Sequence, residues 1–180
     1  MTCIVAVTDR SKVYIGGDRC LSDYESNFYM PTNDPKIFVK DSMVIGYAGS
    51  VRMGKVIKYD FTPPKVDARN IDKYMNIDFV NALRECVERN SLKIDSSGAE
   101  RSDMADLIIG IKGRIFVLED DWQVTEHTHE YVAIGSGSPY ALGSLYSTPS
   151  EHPADRVRLA LEAADQFSLS VCQPFDYIIQ

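Results

Sequence analysis

Residues 2–18 read TCIVAVTDRSKVYIGGD, and this stretch decides the fold. Two β-rich runs, 4–7 and 13–15, flank the polar turn Asp9-Arg10-Ser11-Lys12, so the chain opens with a hairpin whose mouth brings Thr2 and Asp18 to one edge. If Met1 is removed, Thr2 carries a hydroxyl and a free α-amine on the same residue, a nucleophile with its own base. An α-amine has an ordinary pKa of about 7.7–8.0, so near neutral pH a useful fraction is unprotonated and can take the hydroxyl proton.

Beyond the opening hairpin, residues 37–39 and 43–48 repeat the pattern around Lys40-Asp41-Ser42, with Gly46 and Gly49 at points of close backbone approach. From Asp72 the period changes. Ile77, Val80, Leu83 and Val87 recur at three and four residues, widened by Phe79 and Cys86, and predict an amphipathic helix. Residues 94–104 read as an exposed loop. A further hairpin is expected at 107–111 and 115–118, then a strand at 131–134, helices at 139–146 and about 153–167 with Pro153 at the helix start, and a closing strand at 175–179. Hairpins in place of alternating βαβ units imply antiparallel sheets with helices layered on their faces. With no repeat or linker in view, residues 1–180 read as a single domain.

Composition excludes several classes. The 180 residues are 44% hydrophobic and 25% charged, ordinary globular values that remove disordered, collagenous and coiled-coil classes. No apolar run approaches the eighteen or so residues of a membrane span, and no basic-then-apolar leader opens the chain, so no membrane partner is expected. The formal charge of -7 argues against nucleic acid as a partner. Cys3, Cys20, Cys86 and Cys172 form no CxxC pair and read as free thiols of a cytoplasmic protein. His127, His129 and His152 lie in polar segments and read as exposed residues rather than ligands, so neither metal nor cofactor is expected.

Five boxes in order resemble the proteasome β-subunit family of N-terminal-nucleophile (Ntn) hydrolases, and more closely its bacterial ring peptidase HslV and the short proteasome-like proteins of bacteria and phages. They are Thr2, Gly16-Gly17-Asp18, Asn33-Asp34-Pro35-Lys36-Ile37, Gly46-Tyr47-Ala48-Gly49 and Ala133-Ile134-Gly135-Ser136-Gly137-Ser138-Pro139-Tyr140-Ala141. The resemblance implies an α+β fold, a four-layer αββα sandwich of antiparallel sheets, assembled into rings or related homo-oligomers. It also implies a threonine-type peptidase hydrolysing peptides or unfolded proteins inside the assembly, with an unfolding ATPase as a further partner.

In that reading Thr2 attacks the peptide carbonyl. Lys36 supports the alkoxide and holds the amine's pKa down, Asp18 fixes Lys36, the Gly49 N–H serves the oxyanion, and Ser136 bonds near the amine. Ser22 falls at the substrate-strand contact. Tyr47, Val51 and Arg52 are the candidates for the pocket reading the residue before the cut, where an arginine favours acidic or polar side chains. Taken singly, the same residues have plainer readings: Lys36 as a surface lysine at a strand start, Asp18 as a turn aspartate, Gly49 as a tight turn and Ser136 as loop chemistry.

The family also carries an Asp and a Ser, three apart, after the last long helix. One register places Ser168 and Val171 there; another, with the same spacing, places Asp165 and Ser168. Two other readings therefore stand beside the peptidase. One is a catalytically silent scaffold or assembly protein, phage-derived; the other is an amidohydrolase of small-molecule amides on the same fold. Cys3 as nucleophile would require loss of Thr2 as well.

Overall fold

A computed structural model describes residues 2–23, 28–93 and 104–180. The opening run forms β1 (Ile4–Thr8) and β2 (Val13–Asp18), paired antiparallel with Ile4 opposite Gly17. Two strands from the end of the chain complete this sheet. Strand β10 (Tyr131–Ile134) lies on the far side of β1, and β11 (Phe175–Ile179) lies on the far side of β2, giving the order β10-β1-β2-β11. A second antiparallel sheet takes β5 (Ile37–Lys40), β6 (Met43–Gly49), β7 (Ala105–Ile111), β8 (Arg114–Leu118) and β9 (Val124–Glu126) in sequence order. A short hairpin, β3 (Cys20–Asp23) with β4 (Phe28–Pro31), stands apart from both sheets.

Side-chain alternation sorts each strand into layers. Ile4, Ala6, Val13 and Ile15 face Val44, Ala48, Ile108 and Val117, and this apolar layer joins the two sheets. On the opposite side of β1, Cys3, Val5 and Val7 pack against Ala141, Leu145, Val157 and Leu161. Those four belong to α4 (Ser138–Ser147) and α5 (Pro153–Phe167). The outer side of the second sheet, through Met43, Ile45, Tyr47, Leu107 and Ile109, meets Met53, Ile57, Phe79 and Leu83. Here the covering helices are α1 (Val51–Tyr59) and a longer helix that opens as α2 (Ile71–Lys73), passes through a π-helical stretch Tyr74–Phe79 and continues as α3 (Val80–Arg89). The result is the αββα sandwich.

Several helix starts are chemically marked. The Ser50 hydroxyl accepts the Met53 N–H at 3.2 Å to cap α1, and the Asn70 side chain accepts the Lys73 N–H at 3.0 Å to cap α2. His152 is exposed and caps α5: its Nδ1 accepts the Ala154 N–H at 3.2 Å, just ahead of Pro153. The amphipathic stripe needs one correction. Ile77 is half exposed, because the π-helical stretch adds a residue to the turn and rotates it outward, while Tyr74, Met75 and Phe79 are buried instead. The loop expected at 94–104 lies outside the described residues except for Met104, which is buried.

Helix α5 is held to the first sheet by Val157, Ala160, Leu161 and Ala164, all sealed from solvent. Truncating Leu161 to alanine is expected to destabilise the fold by about 2–5 kcal/mol through lost transfer energy and a residual cavity, measured as the shift in urea unfolding.

Candidate active site

Thr2 sits one residue before Cys3, whose backbone is clamped to the end of β2. The Cys3 N–H donates to Asp18 Oδ1 at 2.8 Å, and the Asp18 N–H donates back to the Cys3 carbonyl at 3.3 Å. From the other side the Gly137 N–H donates to the Thr2 carbonyl at 3.2 Å. Gly135, at φ 87°, lets this turn approach so closely that an added Cβ would stand 2.3 Å from the Thr2 carbonyl oxygen. Thr2 is thus fixed between the first strand and the turn that follows β10, and is 3% exposed.

Lys36 enters from the second sheet. It precedes β5, and the Tyr47 N–H holds its carbonyl at 3.1 Å. Its side chain is buried, and Nζ donates to Thr2 Oγ1 at 2.7 Å, to Asp18 Oδ2 at 2.9 Å and to the Cys20 carbonyl at 2.6 Å. Those three oxygens equal in number the N–H bonds of an ammonium. Asp18, fully buried, also accepts the Cys20 N–H at 2.7 Å. Burial pushes the Asp18 carboxyl upward, while Lys36 and the two amides pull it down. Arg19, the next residue, forms an ion pair with Asp176 and ties this corner to β11.

On the far side of Thr2 stands a chain of hydroxyls. The Thr2 nitrogen lies 3.3 Å from Ser136 Oγ, which is 2.7 Å from Ser170 Oγ, which is 2.9 Å from Ser168 Oγ. In the full-length chain that nitrogen is an amide, and it marks the position an α-amine would occupy after loss of Met1. Ser170 is the residue the sequence reading missed. Neither register placed it: Val171, assigned by one of them to the serine position, is buried in the apolar layer under α4 and α5, and the serine that meets Ser136 is its predecessor.

Gly49 ends β6 at φ 113°, a conformation open to glycine. In the ladder Ala48 pairs with Asp106 and the Ser50 N–H reaches the Met104 carbonyl at 3.2 Å, whereas the Tyr47 N–H points to β5. This alternation turns the Gly49 N–H away from β7, toward the side that carries Lys36.

The expected side-chain pocket is divided. Tyr47 is buried under α1, its hydroxyl pKa pushed up to about 12 by burial, and with Asp34 and Lys55 it lines a crevice of about 10 Å³. Lys55 and Asp34 form an ion pair there at 2.8 Å. Val51 and Arg52 instead line a separate open cleft of about 500 Å³ with Val56, Tyr59 and Asn90, and Arg52 donates to the Asn90 carbonyl at 3.2 Å. The three residues therefore do not share one pocket, because α1 stands between Tyr47 and the outer cleft. Ser22 on β3 keeps a buried Oγ with no hydrogen-bond partner among the described residues. Cys3 is unfit as nucleophile, since it faces the helix layer and burial pushes its thiol up to about 12. No group of three or more metal-ligating side chains occurs among the described residues, and no helix there is long and apolar enough to cross a membrane.

No protein-family model matches the chain. Among curated proteins it is similar to the ATP-dependent protease subunit HslV of Caldicellulosiruptor saccharolyticus, 29% identical over 179 residues that cover 91% of this chain and 89% of that protein. Among solved structures it is similar to Thiobacillus denitrificans BPH in complex with epoxomicin, with a TM-score of 0.80 at 22% identity, covering 99% and 98% of the two chains. It is also similar to Anbu of Yersinia bercovieri, with a TM-score of 0.69 at 19% identity, covering 99% and 81%. On this fold and this near-full-length resemblance, the chain is a proteasome-β- and HslV-like protein with the Ntn hydrolase fold.

Proposed function

We propose that this chain is a threonine-type peptidase whose nucleophile is Thr2 once Met1 has been removed, with residues 1–180 acting as one domain within a homo-oligomer. The observation that carries the proposal is the 2.7 Å bond from a buried lysine to Thr2 Oγ1, with Asp18 and Cys20 occupying the other two donors of that lysine. A cation that already donates to the hydroxyl oxygen cannot also take its proton, so the base must come from elsewhere. The released α-amine lies on the same residue and serves that role, directly or through a water.

Attack of Oγ on the peptide carbonyl gives a tetrahedral oxyanion, which the Gly49 N–H stabilises, and Lys36 lowers the energy of the alkoxide. The amine then passes its proton to the departing peptide nitrogen. An ester of Thr2 remains, and water activated by the same amine hydrolyses it. Ser136, backed by Ser170 and Ser168, holds the amine in place. Ser22 accepts or donates to the backbone of the extended substrate.

The similar HslV is a subunit of an ATP-dependent protease, and this supports an unfolding ATPase as the supplier of substrate. The silent-scaffold reading has one observation in its favour: the hydroxyl chain ends on Ser168, where the family pattern expects a carboxylate.

Three measurements test the proposal. Intact mass of protein purified from cells is expected to lack one methionine; a full-length mass establishes the scaffold reading instead. Thr2→Ala is expected to lower turnover of fluorogenic peptides by about 10³-fold or more, and Lys36→Ala by about 10²–10³-fold, with oligomer size unchanged by gel filtration. The same Thr2→Ala protein should lose binding of epoxomicin, the ligand held by the Thiobacillus denitrificans BPH. On the stability side, Asp18→Ala should cost about 3–5 kcal/mol by leaving the buried Lys36 ammonium without its carboxylate, while Asp18→Leu combined with Lys36→Met should recover most of that loss yet leave the protein inactive.

A further inference from the structure

Helix α4 has an inner and an outer side. Ala141 and Leu145 are sealed against the first sheet, while Tyr140, Leu142, Gly143 and Tyr146 face outward. Alone among the described helices, α4 carries no charged side chain. Tyr140, Leu142 and Tyr146 are 43%, 38% and 78% exposed, and at the end of α5 Phe167 and, two residues later, Leu169 are 67% and 82% exposed. The Tyr140 and Phe167 rings lie 5.8 Å apart, which joins the two helix ends into one apolar patch.

Glycine is among the least favourable residues in a helix interior, and it is used where something must come close. Within this chain nothing comes close to Gly143: an added Cβ there meets no atom of the described residues within 4 Å, whereas one at Gly54 in α1 would stand 2.4 Å from the Tyr47 ring. Spaced by three, Tyr140, Gly143 and Tyr146 run along one face, so the glycine is a notch between two aromatic knobs. An aromatic side chain presents about 150–250 Å², so the exposed parts of Tyr140, Tyr146 and Phe167 leave roughly 300–450 Å² open, a patch of the size that marks an interaction site. Counted on two copies and with Leu142 and Leu169 added, it reaches the order of 1,000 Å² that a specific interface needs.

We propose that this face packs on the same face of a second copy of the chain, about a two-fold axis with Gly143 of both copies at the crossing. A two-fold contact uses one patch twice, so the patch must complement itself. A notch flanked by knobs does so in shape, because the tyrosines of each copy straddle the glycine of the other. It does so in charge as well: chains of formal charge -7 repel, and a charge-free face is where two of them meet with least repulsion.

The contact also reaches the candidate site. Ser136 lies on the turn that leads into α4, and Ser168 and Ser170, which alternate with Phe167 and Leu169, bond through to Ser136. Packing at the patch therefore clamps both ends of the hydroxyl chain. The interface stands without the peptidase reading, whereas its effect on turnover rests on that reading.

The test is Gly143→Glu. The new side chain enters open space on its own chain and suits a helix better than glycine, so the melting temperature is expected to be unchanged or raised. A charge now sits at the crossing, so the particle mass by sedimentation velocity is expected to fall to half or less, with a several-fold loss of peptide turnover; Tyr146→Glu should do the same. Under mild oxidation Gly143→Cys should give a bridge between the two introduced thiols, identified in a peptide digest. A wild-type chain that is monomeric at every concentration, a Gly143→Glu particle of unchanged mass, or an assembled Gly143→Cys particle that forms no bridge would each overturn the proposal. An unchanged mass with a raised KM for long unfolded substrates would give the face to substrate and overturn it too, and a halved mass with full turnover would remove the clamp on the hydroxyl chain. If the wild type is inactive yet its particle comes apart on Gly143→Glu, the peptidase reading fails and the interface stands.

Discussion

A lysine ammonium shielded from water governs the architecture around it. Removing such an ion from bulk solvent carries a large desolvation cost, met only if every N–H finds an oxygen and at least one of those oxygens bears charge. Lys36 meets this condition with Thr2, Asp18 and Cys20, which come from the start of β1, the end of β2 and the start of β3. No single element could supply that shell. It forms only where the edge of one sheet meets the mouth of the opening hairpin on the other, so packing of the inter-sheet layer and completion of the site are one event. A buried pair of this kind adds little to stability compared with apolar side chains of the same size. Its presence beside Thr2 is better explained by the chemistry it permits than by the fold it supports.

Much of this was legible in the chain because period and polarity coincide there. The opening strands alternate cleanly between two apolar layers, and the turn Asp9-Arg10-Ser11-Lys12 fixes their register, so Thr2 and Asp18 had to fall at one edge. Helix α5 was readable from Pro153 and a regular stripe. Helix α1 was not, since Gly54 interrupts its nine residues and weakens the periodic signal, and its start is announced by the cap at Ser50 alone. The hairpin of β3 and β4 and the three-residue strand β9 are too short to show a period. Ile77 misled because sequence spacing assumes 3.6 residues per turn and the π-helical stretch does not keep it. At the site, Lys36 and Ser136, which touch Thr2, and Asp18, which touches Lys36, were readable in type and order. Ser170 was missed by one position, because linear spacing cannot say how the chain turns between the end of α5 and β11.

The hydroxyl chain from Ser136 through Ser170 to Ser168 changes how the departure from the family pattern should be weighed. A carboxylate at its end would draw a proton onto the terminal amine and hold it as an ammonium, which orients it firmly and at the same time removes it as a base. Hydroxyls orient by dipole alone and exert no such pull. With the cation of Lys36 2.7 Å from Thr2 Oγ1, the nearest full charge repels a second positive charge on the adjoining nitrogen. In the proposed mechanism both effects would favour the neutral amine, the form that proton transfer from Oγ requires. Under that proposal, serines in place of a carboxylate would give up positional rigidity at the amine and leave more of it neutral. The constellation is consistent in its electrostatics with the proposed mechanism: one cation on the Thr2 hydroxyl oxygen, one buried anion to balance it, and neutral donors and acceptors around the Thr2 nitrogen.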